Sequence, residues 1–175
     1  MFMIILIIVV VLIVAVLAFA ATRPGTFRLE RAATIKAPPE KILALINDFR
    51  RWSVWSPWEK LDPALNRSYS GPASGPGAVY AWQGNNKVGQ GRMEILASSP
   101  AATTIKLDFI KPFEAHNIAD FTLLPQGDAT MVSWAMHGPN SYLAKLMHVF
   151  FDMDKLVGRD FERGLANLKA VAEEG

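Results

Sequence analysis

The residues able to do chemistry are few. The chain carries three histidines, His116, His137 and His148, and no cysteine. No acidic or cysteine residue accompanies a histidine at metal-ligand spacing, so no metal set is expected, and thiol and disulfide chemistry are excluded. Gly75-x-Gly77 and Gly89-x-Gly91 each lack the third glycine of a phosphate-cradling loop, and the second falls in a strand, where glycine more often marks a bulge. Ser56 and Ser98 lie outside any nucleophile-elbow frame. No cofactor is expected. What remains is acid–base work. Asp160 and Asp154 flank the apolar stripe of a helix, and a carboxylate held among apolar groups has a raised pKa suited to a general acid. Asp160 and His116 are the catalytic candidates. The plainer alternatives are that Asp154 stabilises a helix start, that Asp160 pairs with Arg163, and that His116 and His137 sit at strand ends on a rim.

The helix carrying Asp160 is expected from Phe150 to Ala172. At 100° per residue, Phe150, Met153, Val157, Phe161, Leu168 and Val171 point within about 40° of one direction, with Leu165 at the margin. Lys155, Arg159, Glu162, Arg163 and Lys169 point the other way, so one face is buried and one is wet. Asp152 and Asp154 occupy the first turn, where the helix N-terminus favours negative charge. At 1.5 Å per residue this helix reaches about 34 Å and needs a broad apolar surface to lie on. Gly164, near the centre of the stripe, implies either close approach of helix and strand or room for a cavity.

The rest of the chain supplies that surface. Phe27 to Lys36 alternates as a half-buried strand. Ala37-Pro38-Pro39-Glu40 stops it and opens a short helix with Ile42, Leu43, Leu45 and Ile46 as its apolar face. Trp52, Trp55 and Trp58, at spacing three, suit a tight helical turn and read as core rather than as a binding platform. Tyr69 to Gly77 reads as a turn or flexible loop. Period-two segments follow at 78–83, 88–97, 103–110, 115–124 and 130–137, joined by short turns such as Gly84-Asn85-Asn86. Tyr142 to Met147 begins a helical stretch leading into the long helix. The order is strand, two short helices, about six strands, long helix. This gives an α+β fold of helix-grip type, a curved antiparallel sheet wrapped around the C-terminal helix.

Met1 to Ala21 has no charged or polar side chain and is long enough to cross the roughly 30 Å core of a bilayer. Ala18-Phe19-Ala20 has the form of a signal cleavage site, but no Lys or Arg precedes the run and it exceeds the usual signal core, which favours an uncleaved anchor. Arg23, Arg28, Arg31 and Lys36 follow it, and such positive residues stay on the cytoplasmic side. The expected division is 1–21 as a single-pass transmembrane anchor, 22–26 as a linker and 27–175 as one globular domain. With a net charge of +2 and no basic block, the chain has no nucleic-acid signature.

The span from Phe27 to Ala172 resembles the polyketide cyclase and dehydrase-like branch of the START-like (SRPBCC) superfamily. The resemblance is carried by Ile35-Lys36-Ala37-Pro38-Pro39-Glu40-Lys41, Trp52 through Ser56-Pro57-Trp58, Tyr69-Ser70-Gly71-Pro72, Gly89-Gln90-Gly91-Arg92-Met93, Lys111-Pro112-Phe113-Glu114 and Asp152 to Leu168. It implies a cavity between sheet and long helix suited to lipids, polyketides or other apolar molecules, and no single chemistry. Trp82, Phe109, Phe121, Trp134, Phe161 and Leu165 are expected to line it, with Gly164 giving room. The leading expectation is membrane-anchored binding of a small hydrophobic ligand. The alternatives are a cyclase- or dehydrase-type enzyme using Asp160 or a histidine, and a partner-binding domain with a filled core.

Overall fold

The computed structural model describes residues 1–174; Gly175 and the side chain of Met153, expected in the buried stripe, lie outside the described residues. Helix α1 (Phe2–Ala21) is uniformly apolar. Strand β1 (Thr26–Ile35) follows, then α2 (Pro39–Ile46), a short 3-10 turn and α3 (Trp52–Trp55). Six strands come next: β2 (Asn66–Ser70), β3 (Val79–Gln83), β4 (Gln90–Ser99), β5 (Ala102–Lys111), β6 (Ala115–Gln126) and β7 (Ala129–Pro139). Helices α4 (Tyr142–Phe150) and α5 (Met153–Glu173) close the chain. The seven strands form one antiparallel sheet in the order β1-β7-β6-β5-β4-β3-β2, so the first strand closes beside the last, as expected of the helix-grip arrangement.

Two elements differ from the sequence reading. Strand β2 lies partly in the stretch read as a loop, because a five-residue edge strand that is never fully buried leaves little hydrophobic periodicity. The C-terminal helix is not continuous from Phe150. Phe151 is extended, and Asp152 caps α5 by accepting a hydrogen bond from the Lys155 amide at 3.1 Å, so the first-turn acid is Asp154 alone. Phe150 therefore ends α4 and is 64% exposed, outside the buried stripe that Phe161, Leu165, Leu168 and Ala172 provide.

The long helix is fixed to β1 from both ends. Arg31 reaches across to the carboxylates of Asp154 and Glu162 at 2.9 and 2.8 Å, and its guanidinium lies against Gly158, where a Cβ would collide with it. At the far end Lys169 donates to the Thr34 carbonyl at 2.9 Å, and Glu173 accepts from the Lys36 amide at 2.7 Å.

Between helix and sheet the core is aromatic. Trp134 of β7 stacks on Phe161 of α5 at 4.0 Å and on Phe121 of β6 at 5.0 Å, while Trp52, Trp55 and Trp58 meet it edge-on. The indole N–H groups of Trp52 and Trp55 donate to the Ile46 and Leu45 carbonyls, which satisfies the C-terminal end of α2. Gly164 marks close approach: a Cβ there would lie 2.7 Å from a Trp134 ring carbon and 3.2 Å from Pro57.

Because Trp134 is stacked on both faces, it cannot withdraw from an added methyl. Overpacking costs about 1–3 kcal/mol and outweighs the roughly 1 kcal/mol helix-propensity gain of alanine. Gly164→Ala in the full chain is thus expected to lower the thermal midpoint, read by near-ultraviolet circular dichroism.

Candidate functional site: an aromatic cavity between sheet and helices

A cavity of about 1520 Å³ lies between the sheet, the N-terminal half of α5 and α4, and opens to the surface. Trp52, Trp58, Trp82, Phe109, Trp134 and Phe161 contribute aromatic wall, and Leu107, Met93, Met136 and Val157 contribute aliphatic wall. Of the residues expected to line it, Trp82, Phe109, Trp134 and Phe161 do so. Phe121 and Leu165 are instead fully buried in the packed core, and Gly164 faces Trp134 and Pro57. The aromatic pattern identified strand and helix faces, but it could not separate the side chains filling the core from those one layer nearer the opening.

Both candidate acid–base residues lie on the wall. Asp160 is half-exposed, with the Arg163 guanidinium 3.8 Å away. His116 sits at the rim, 61% exposed, and both ring nitrogens face carboxylates: Nδ1 lies 2.8 Å from Asp108 and Nε2 3.2 Å from Glu114. The hydrogen bond to Asp108, helped by Glu114, raises its pKa above the ordinary imidazole value of 6.5. That arrangement favours the imidazolium and leaves no free ring nitrogen for a substrate. His137 pairs with Asp120 at 3.0 Å.

Two polar features of the wall carry no sequence signal. The first is the Glu59 carboxylate, whose side chain is only 6% exposed; it accepts from the Arg67 guanidinium and the Tyr80 hydroxyl, each at 2.6 Å. Burial first, and then this hydrogen bond, push the Tyr80 phenol well above its usual range, so it stays a neutral donor committed to Glu59. Glu59 lies in an aperiodic segment and Arg67 on the unrecognised strand β2, so nothing in the sequence joins them. The second is a pair of buried polar atoms without partners among the described residues: Asn117 Oδ1 and the Trp134 indole N–H. Both residues line the cavity.

A curved antiparallel sheet gripping a long helix over an aromatic cavity is the architecture that the resemblance implied. The family described as polyketide cyclase / dehydrase and lipid transport matches residues 26–173. The chain belongs to this family.

Solved structures share its fold. The Aha1 dimer from Colwellia psychrerythraea is 17% identical, covering 85% of this chain and 98% of that one, with a TM-score of 0.60. Major latex-like protein 151 from Panax ginseng is 14% identical over 85% of this chain and 99% of that one, at 0.59. The di-domain ARO/CYC StfQ from the steffimycin biosynthetic pathway is 10% identical, covering 85% of this chain and 51% of that one, at 0.62. At such identities the likeness is one of fold. No curated protein matches the chain.

For this member of the polyketide cyclase / dehydrase and lipid transport family, two measurements test the wall. Glu59→Gln removes a buried charge that Arg67 and Tyr80 depend on and is expected to cost about 2 kcal/mol, the scale of a charged hydrogen bond, in denaturant unfolding. His116 is expected to titrate above 6.5 in the folded chain by NMR and to fall toward that value in Asp108→Asn. With the folded pKa raised, its pairing favours the fold fully below pH 6.5, the ordinary imidazole value, and this contribution fades as pH climbs through the raised midpoint.

Proposed function

We propose that this protein holds a small apolar or amphipathic molecule, lipid- or polyketide-like, in the cavity between the sheet and α5, with α1 anchoring it as a single-pass membrane protein. The observation that carries this reading is the aromatic cavity with two unpartnered polar atoms on its wall. Burial of apolar ligand surface there contributes about 25 cal/mol per Å². A ligand hydroxyl or carbonyl meeting the Trp134 N–H or Asn117 amide would relieve an unpaired group whose burial costs about 1–3 kcal/mol. Membership of a family described as acting in lipid transport supports the same class of ligand.

Helix α1 is 20 residues long, wholly apolar, and nearly all of it is left uncovered by the rest of the chain. A helix so apolar and so uncovered is suited to hydrocarbon surroundings. The basic residues Arg23, Arg28, Arg31 and Lys36 on its C-terminal side favour a cytoplasmic domain.

An enzymatic reading rests on Asp160, a half-exposed carboxylate on the cavity wall beside Phe161. It shares the ligand class and differs in requiring that carboxylate for turnover. The open cavity argues against the filled-core partner domain.

The test is photolabelling of the full chain in nanodiscs with a diazirine fatty acid. Label is expected on peptides from β5 to β7, suppressed by excess unlabelled fatty acid and by Leu107→Trp, which fills the wall. Label confined to α1 would remove the cavity from the argument. Asp160→Asn is expected to keep the label, separating ligand capture from any chemistry.

A further inference from the structure

The two ends of the sheet are built differently. At the distal end lie the β4–β5 and β6–β7 turns, where Ser99 pairs with Ala102 and Gln126 with Ala129. At the other end Thr26, five residues after α1, pairs with Pro139 just before α4, and Gln90 pairs with Lys111 at the start of the Pro112–Glu114 turn. Every segment there lines the cavity: Arg23 and Pro24, Lys87 and Val88, Pro112 to Glu114, and most of α4. The cavity thus opens at the end of the sheet from which α1 leaves.

That end is apolar where it need not be. Helix α4 has no buried residue, and Tyr142, Leu143, Met147 and Phe150 are 36–64% exposed, with Phe113 at 58% across the opening. A helix whose apolar side chains are left this open in a domain with a dense aromatic core lacks a partner. Its position indicates what that partner is. Helix α4 packs on α1; the Tyr142 hydroxyl donates to the Leu17 carbonyl at 2.9 Å, and Val16 and Ala20, one turn apart, are the α1 residues withdrawn from solvent. Leu17 lies only about 6 Å of helix rise from the end of α1. That depth is where interfacial amphipathic helices rest, about 5–10 Å into the headgroup and acyl boundary. Around the same end, Arg23, Lys87, Lys111 and Lys145 have no carboxylate within 4.0 Å among the described residues, leaving their charges available to phosphate headgroups.

We propose that the cavity mouth is itself a bilayer-docking surface: α4 and Phe113 lie in the headgroup region beside the last turns of α1, and an amphipathic molecule passes between leaflet and cavity without crossing water. This rests on the reading of α1 as a membrane span and adds to it the orientation of the domain. A free-standing domain tethered by a flexible linker would hold its mouth in any direction. Here the α1–α4 contact fixes it toward the lipid.

Because the chain has no cysteine, single probes report unambiguously. The full chain carrying Phe113→Cys, Leu143→Cys, Phe150→Cys, Val9→Cys or Asp128→Cys is labelled with the environment-sensitive fluorophore NBD and reconstituted in phosphatidylcholine–phosphatidylglycerol vesicles, with and without lipids bearing a shallow doxyl quencher. The expected result is loss of most of the emission at 113, 143 and 150, no more than collisional loss at 128 in the distal turn, and blue-shifted emission at 9. Losses at 113, 143 and 150 no greater than at 128, with 9 blue-shifted, would overturn the docking while leaving the anchor in place. A water-like emission at 9 would overturn both. Photolabelling of the cavity is a separate readout: docking without cavity label would retain the orientation of the domain at the bilayer and overturn the passage of a molecule between leaflet and cavity.

Discussion

The face-to-face stack of Trp134 between Phe161 and Phe121 is the contact on which the rest of the molecule depends. It joins the last strand, its neighbour and the long helix in one cluster, and Trp52, Trp55 and Trp58 add α3 and the chain beyond it edge-on. Each such ring buries 150–250 Å², so at about 25 cal/mol per Å² it contributes up to roughly 4–6 kcal/mol. A small number of rings therefore holds the helix to the sheet across the middle of the interface. With that much fastening concentrated there, the remaining half of the helix–sheet gap need not be filled for the domain to stay folded. The cavity occupies that half, and Trp134 is at once the centre of the core and part of the cavity wall.

This double role has a polar consequence. The neighbouring indoles of Trp52 and Trp55 both satisfy their N–H groups on α2 carbonyls. That of Trp134 is buried without a partner, as is Asn117 Oδ1, four residues before Phe121 along β6. A structure that pairs the indoles of Trp52, Trp55 and Trp82 and leaves that of Trp134 buried and unpaired on a cavity wall has its unmet hydrogen bonding where a guest could meet it. By contrast, the deeply buried charged group on the same wall, Glu59, is already committed to Arg67 and Tyr80, whereas Asp160 and His116 lie toward solvent. The buried part of the wall thus offers free neutral donors and acceptors and an occupied carboxylate, a composition that suits an apolar guest with a hydroxyl or carbonyl better than an ionic one.

Much of this architecture was legible because it is written in periodicity. The alternation in β1 and in β3 to β7 and the stripe of Phe161, Leu165 and Leu168 are consequences of one face being buried, and they specify a curved sheet around a helix. Features that depend on distance rather than period were not legible. The helix break is one: Phe150 continues the stripe arithmetically, but Asp152 caps a new helix, so the stripe begins only after it. The Glu59–Arg67–Tyr80 group joins an aperiodic segment to two strands, and no local rule anticipates it. Gly164 was ambiguous because a missing side chain looks the same in sequence whether its space is taken by a neighbouring ring or left open. Trp134 takes it.

The break before Asp152 explains why there is a mouth at all. Were Tyr142 to Glu173 one straight helix, its 32 residues would reach about 48 Å, whereas the strands beneath it, 10 to 12 residues long in β4 to β7, span only about 33–40 Å. The excess would project past the sheet, and the α1 end of the groove would remain an open trough. Ending one helix at Phe150 and starting the next at Asp152 lets the first nine residues fold across that end against α1 while α5 keeps its grip on β1 through Arg31. What would have been an overhang becomes a rim, and its apolar side chains are positioned by the same step that gives the cavity its depth.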